Sequence, residues 1–401
     1  MTDTRHPTPR NARLLLILAG ILLIAANLRA PITGLPPLLP ILQPALDLDT
    51  TLAGLLTTLP LLAFAFFSPL APRLARRTGL EAVLFAALVL IAGGIALRSL
   101  GPQWSLFAGT AAIGIGIALG NVLLPSLIKR DFPTRIPSMT SAYALTMGVA
   151  AALASATMTP LATRFGLGWD GALATMIVLP LAALAVWWTR LSGRHHPAAM
   201  TTAGTRAAPV WTSALAWQVT LFMGLNSFVY YVIVGWLPTI LLAHGHSATG
   251  AGSLHGLMQL ASAVPGLLLG PLIQRSRNQK AIAVAVSLLI VLALGGLLAH
   301  PSLATLWVVC FGFGAGAGVT LSLMFMGLRT RSPEQAAALS GMAQCIGYLL
   351  AASGPPLIGW MHDAAGSWDV PLAGCLALAL VMAVFGFLSG RDRQIHDTKP
   401  V

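Results

Sequence analysis

Twelve apolar stretches run through this chain with short polar links between them. Each is close to or above the roughly 20 residues that cross a bilayer as a helix. They cover residues 14–42, 51–71, 80–99, 104–128, 138–164, 170–189, 214–241, 249–273, 280–299, 302–328, 335–361 and 370–389, and are called spans 1 to 12 below. In lipid every backbone N–H and C=O must find a partner inside the protein, and a helix supplies one residue by residue. The expected fold class is therefore all-α and membrane-embedded, with twelve transmembrane helices. Composition argues against a soluble fold, because 8% of the 401 residues are charged against roughly 25% in soluble domains.

The links carry the orientation. Twenty of the 23 Lys and Arg residues fall in the N-terminal tail (1–13), in the links after spans 2, 4, 6, 8 and 10 (with Lys280 at the start of span 9), or in the C-terminal tail (390–401). The positive-inside rule then places both termini in the cytoplasm. The net charge of +12 reflects this orientation, not nucleic-acid binding. Arg98 and Arg164 are expected on the other face. The tail enters span 1 without a small-residue cleavage site, so it reads as a cytoplasmic tail and not a signal peptide. Cys310, Cys345 and Cys375 lie within or beside apolar spans, with no ligand or disulfide spacing. No metal or cofactor is expected. The longest interior link, 190–213, separates an N-terminal bundle over 14–189 from a C-terminal bundle over 214–389.

Deep within the spans there is one formal charge, Arg29, in the stretch NLRAPIT (Asn27–Thr33) of span 1. An arginine at the centre of a membrane helix costs about 2.5–3.5 kcal/mol on insertion scales. Structural duty could retain it, through snorkelling of its long stem or bonds to carbonyls freed by Pro31, Pro36 and Pro37. The functional reading is a grip on an anion, since the planar guanidinium fork stays protonated and matches carboxylate-like groups. All eleven acidic residues fall in links, tails or span ends, so no carboxylate relay of the kind used by proton-driven carriers stands in the membrane.

Other polar residues in the spans are expected to line the cavity with Arg29: Asn121, Tyr230, Tyr231, His255, Gln259 and Gln344. Asn121 could equally serve as an interhelical bond, and of the two tyrosines one is expected to face the cavity. His255 and Gln259 are four residues apart and share a helix face, as do Gln344 and Tyr348. A buried histidine is more often simply hydrogen-bonded than proton-coupled. Pro238 is expected to break span 7 near its outer end, matching the proline cluster of span 1. The glycine run Gly312, Gly314, Gly316 and Gly318 reads as close helix packing.

The halves repeat. GIGIALGNVLLPSLIKRDFP (Gly114–Pro133) aligns with GAGVTLSLMFMGLRTRSP (Gly316–Pro333) under a shift of 200 residues. A parallel six-plus-six repeat resembles the major facilitator superfamily, whose halves rock about a midplane site. NLRAPITGLPPLLP (Asn27–Pro40), GNVLLPSLIKRDFP (Gly120–Pro133), FVYYVIVGWLPTIL (Phe228–Leu241) and SLHGLMQLASAVPGLL (Ser253–Leu268) resemble spans 1, 4, 7 and 8 of its cyanate-permease and nitroimidazole-transporter group. The superfamily's loop signature after span 2 is altered here to SPLAPRLARRTG (Ser68–Gly79), with Ser68 and Pro72 replacing its Gly and Asp. Arg73, Arg76 and Arg77 still fit a gating role in that interior loop.

The resemblance implies two pseudo-symmetric six-helix bundles in a bacterial inner membrane, working as a monomer by alternating access. It implies a cyanate- or nitroimidazole-type solute, in agreement with the small anion or anion-like polar molecule that Arg29 suggests. The alternative within transport is an exporter of larger neutral or hydrophobic drugs. No Ser–His–Asp or metal constellation supports an enzyme, and the short central link cannot hold a signalling domain.

Overall fold

The computed structural model describes residues 9–132, 135–191, 210–274, 278–331 and 333–395. Helix dominates these residues and no strand occurs among them. The observed rods are Pro9–Asn27 continuing through Ala30–Thr33 to Leu39–Ala45 (span 1), Thr50–Phe67, Leu80–Arg98, Gln103–Asp131, Ile136–Thr163, and Gly168–Thr175 with Val178–Leu191 (span 6). The second set is Ala214–Ala243, Ala248–Ala263 with Pro265–Gln274 (span 8), Lys280–Ala299, Ala304–Leu328, Pro333–Ala365 and Asp369–Ser389. Ten of the described rods are long and apolar enough to cross a membrane, and spans 8 and 11 complete the twelve. The expected boundaries hold to within a few residues, except that helix begins at Pro9, inside the expected tail. Most of the 190–213 linker and the last residues of the C-terminal tail, 396–401, lie outside the described residues.

Proline sets the breaks. Pro31 has no N–H, so the Asn27 carbonyl loses its helical donor. The first helix stops at Asn27, and Arg29 sits at the break with φ −128° and ψ −49°. Span 8 pauses at Val264, ahead of Pro265. Pro238 behaves differently from expectation: span 7 runs unbroken from Ala214 to Ala243 with Pro238 inside it. Span 7 is buried along most of its length, and packing against its neighbours carries the helix through the proline.

Spans 1–6 pack together, as do spans 7–12, and the two sets meet along a central seam. The repeat is real, but its register is 198 residues and not 200. Gly114 packs on Pro60 and Gly312 on Met258; Gly120 packs on Leu28 and Gly318 on Asn226. In both comparisons glycine and partner advance together by 198. Gly116 meets Ala87 and Ile91, and Gly314 meets Val286 and Ile290, one residue further on. The glycine run of span 10 offers several registers of equal sequence merit, and packing selects one.

At the end opposite the termini the seam is sealed by backbone contact. A Cβ on Gly54 of span 2 would lie 2.6 Å from the Pro355 carbonyl oxygen of span 11. A Cβ on Gly252 of span 8 would lie 2.8 Å from the Ser155 carbonyl oxygen of span 5. These two glycines are again 198 residues apart. One turn further in, Thr58 donates to the Ala352 carbonyl at 2.8 Å. Arg98, expected on the outer face at the end of span 3, is instead 1% exposed and points into the bundle. The span ends there, but the side chain turns back to donate from Nη1 to the Pro31 carbonyl at 2.7 Å.

Candidate functional site

The seam opens below this seal into a cavity of about 240 Å³. Its walls come from spans 1, 5, 7, 8, 10 and 11, and they reach from Arg29, Tyr231 and Tyr348 down to Ala144, Ser262 and Gly266, toward the end bearing the termini. Arg29 is partly exposed to it. The helix break positions this side chain: released from regular geometry, it leaves the first half and reaches the second. Nη2 of Arg29 donates to Tyr230 Oη at 2.5 Å, and Tyr230 Oη in turn donates to Gln259 Oε1 at 2.6 Å. The guanidinium carbon lies 5.4 Å from the centre of the Tyr230 ring. Tyr231 packs edge-on against Tyr230 at 5.2 Å.

Four expected residues therefore meet at one place: Arg29, Tyr230, Tyr231 and Gln259. Both tyrosines face the cavity. Charge here is uncompensated. Arg29 forms no ion pair among the described residues, and its side-chain contacts are to the neutral hydroxyl and ring of Tyr230. Gln259 Nε2 is buried without a hydrogen-bond partner among the described residues, and the residue lines the cavity. The site thus offers a fixed positive charge, spare N–H donors and aromatic faces, which suits a planar acceptor-rich solute.

Three expected residues do not line it. His255 is fully buried, one turn beyond Gln259 toward the sealed end. Its ring lies against the Val234 carbonyl, which lacks its helical donor because Pro238 has no N–H, but the geometry is too loose for a hydrogen bond. Gln344 turns to its own helix and donates to Ser340 Oγ at 2.8 Å. Its partner in spacing, Tyr348, is the one that reaches the cavity. Asn121 is half-buried on span 4, which contributes no lining residue. Arg73, Arg76 and Arg77 are exposed on the short helix Ala71–Thr78, at the end bearing the termini. Sequence reasoning passed over Ser227, Ser262 and Thr320, whose hydroxyl side chains carry little signal in a membrane helix. Under the 198-residue register Ser227 is the counterpart of Arg29, and both line the cavity.

A larger apolar groove of about 520 Å³ lies between spans 1, 5 and 6. Among the described residues no charged side chain lines it, and Leu145, Val149 and Leu153 are exposed along it.

Fold and site define a class: a membrane carrier with a polar cavity at the seam of two six-helix halves. The Major Facilitator Superfamily profile matches residues 16–355, and the chain belongs to that superfamily, in its cyanate-permease and nitroimidazole-transporter group. It is 55% identical to the 2-nitroimidazole transporter of Escherichia coli (strain K12), over 95% of this chain and 97% of that protein. It is 29% identical to the cyanate transport protein CynX of the same organism, over 88% and 91%. The solved D-xylose–proton symporter superposes with a TM-score of 0.75 at 16% identity, covering 95% of this chain and 98% of the symporter. That likeness is one of fold. The chain is a secondary transporter for a small molecule and not an enzyme.

Proposed function

We propose that the protein carries a small anion or anion-like polar solute, of the nitroimidazole or cyanate type, across the bacterial inner membrane by rocker-switch alternating access. The observation that carries this reading is Arg29, held at a helix break without a carboxylate partner and bonded across the seam to Tyr230. A solute with negative acceptor atoms would supply the missing counter-charge. The cavity volume of about 240 Å³ falls below the roughly 300–1,000 Å³ usual for drug-sized ligands, which weighs against large hydrophobic cargo. The relatives' names point the same way.

In this reading both termini are cytoplasmic, so the structure stands inward-facing. The bundles 14–189 and 214–389 rock as bodies, and the monomer suffices. Solute binding to Arg29 from one half and to Gln259 from the other draws the halves together. The backbone seal at the outer end then gives way as the inner end closes.

Counterflow in proteoliposomes tests this, with labelled 2-nitroimidazole and labelled cyanate offered separately and Arg29→Gln run in parallel. Movement of either solute that collapses in Arg29→Gln supports the reading. Equal transport by both proteins demotes Arg29 to a structural residue. No movement of either solute, with efflux of bulky neutral dyes instead, favours the drug-export alternative.

A further inference from the structure

Arg98 is a second buried arginine for which the central cavity has no use. Nη1 serves the Pro31 carbonyl at 2.7 Å, while Nε and Nη2 are buried with no hydrogen-bond partner among the described residues. Arg98 forms no ion pair among the described residues. An uncompensated guanidinium in an apolar interior is costly, and a neutral amide could serve the Pro31 carbonyl as well. The two unpartnered nitrogens form one edge of the guanidinium, the edge whose parallel N–H bonds grip planar two-oxygen groups.

That side chain borders a small cavity of about 20 Å³, lined also by Pro31, Thr57, Thr110, Tyr231 and Gly235. Such a volume holds about one water. The cavity lies at the seam: spans 1–4 make one side of it and span 7 the other. Tyr231 lines both this cavity and the central one. Withdrawal of span 7 from spans 1 and 2 would open it toward the sealed end and join it to the Arg29 site past the Tyr231 ring.

We propose that Arg98 is an anion-binding group in its own right, forming a subsite at the sealed end that receives or releases the solute while Arg29 holds it at the centre. This rests on the anion-carrier reading given above. The free Nε/Nη2 edge selects planar groups with two acceptor oxygens, such as carboxylate, nitro or nitrate, over a rod-shaped anion such as cyanate.

The test uses a variant with Cys310, Cys345 and Cys375 replaced by serine and with Thr57→Cys as the reporter in the small cavity. Anionic and cationic methanethiosulfonate reagents are applied from the face opposite the termini, in the Arg98, Arg98→Gln and Arg98→Lys backgrounds. Glutamine keeps a donor for the Pro31 carbonyl and loses the charge; lysine keeps the charge and loses the fork. The ratio of anionic to cationic labelling rates is expected to fall at least fivefold in Arg98→Gln and to recover largely in Arg98→Lys. Nitrate should slow labelling in the Arg98 background alone, and cyanate should not. An unchanged ratio in Arg98→Gln overturns the proposal, and so does a Thr57→Cys thiol that no reagent reaches from that face. Reagent charge is the readout, so failure of the central reading, seen as transport indifferent to Arg29→Gln, is distinguished from failure of this one.

Discussion

The two ends of the central seam are built from different material. At the sealed end, backbone meets backbone: Gly54 against the Pro355 carbonyl and Gly252 against that of Ser155, in positions the repeat makes equivalent. Toward the termini the halves stand apart around side chains, and Gly266 has nothing within 4 Å of where a Cβ would be. Backbone contact of this kind is close-packed and intolerant of added atoms. A cavity lined by side chains can rearrange around a guest. The comparison teaches that the seal depends chiefly on shape, with the Thr58 hydroxyl bond to the Ala352 carbonyl behind it, while the open end depends on chemistry.

Substitution at Gly252 attacks that comparison most directly. Gly252→Leu places its first added carbon 2.8 Å from a backbone oxygen, and overpacking of this kind costs about 1–3 kcal/mol where neighbours cannot yield. Counterflow should fall below a tenth of wild type, with Gly54→Leu behaving alike; a wild-type rate would show that the glycines do not form the gate. Arg29→Gln comes next. Removing one member of a buried charged contact costs about 2–5 kcal/mol, so solute affinity by titration calorimetry should weaken by roughly 30-fold or more. Arg29→Lys, with the charge and no fork, should fall between. Tyr230→Phe removes the bridge from Arg29 to Gln259 and should raise KM by about tenfold at most, because water can replace the hydroxyl in an open cavity. Gly266→Ala at the open end should leave solute affinity within about a factor of two, since the added methyl meets no neighbour; a tenfold loss would mean the open end is as tightly fitted as the sealed one.

Much of this was legible in the sequence. Apolar run length placed the twelve spans, because the bilayer fixes that length physically. The position of Arg29 was equally plain, since charge in an apolar run is rare and costly. What hydropathy could not supply was rotation about each helix axis. Spans that are apolar on every side carry no face signal, so Asn121 and Gln344 looked as well placed as Gln259. His255 shares a face with Gln259 but lies a turn nearer the seal, beyond the cavity's limit. The inward turn of Arg98 onto the Pro31 carbonyl leaves no trace in the sequence, where the residue simply ends its span. The register of the repeat was off by two because alternating glycines are interchangeable until their partners are known.

Arg29, the one fixed charge among the described residues lining the central cavity, has an electrical consequence. A carrier loaded with a monovalent anion presents a neutral site, while the empty carrier presents a positive one. Membrane voltage, worth about 2.3 kcal/mol per charge for every 100 mV, would then leave the loaded step largely untouched and act on the return of the empty protein.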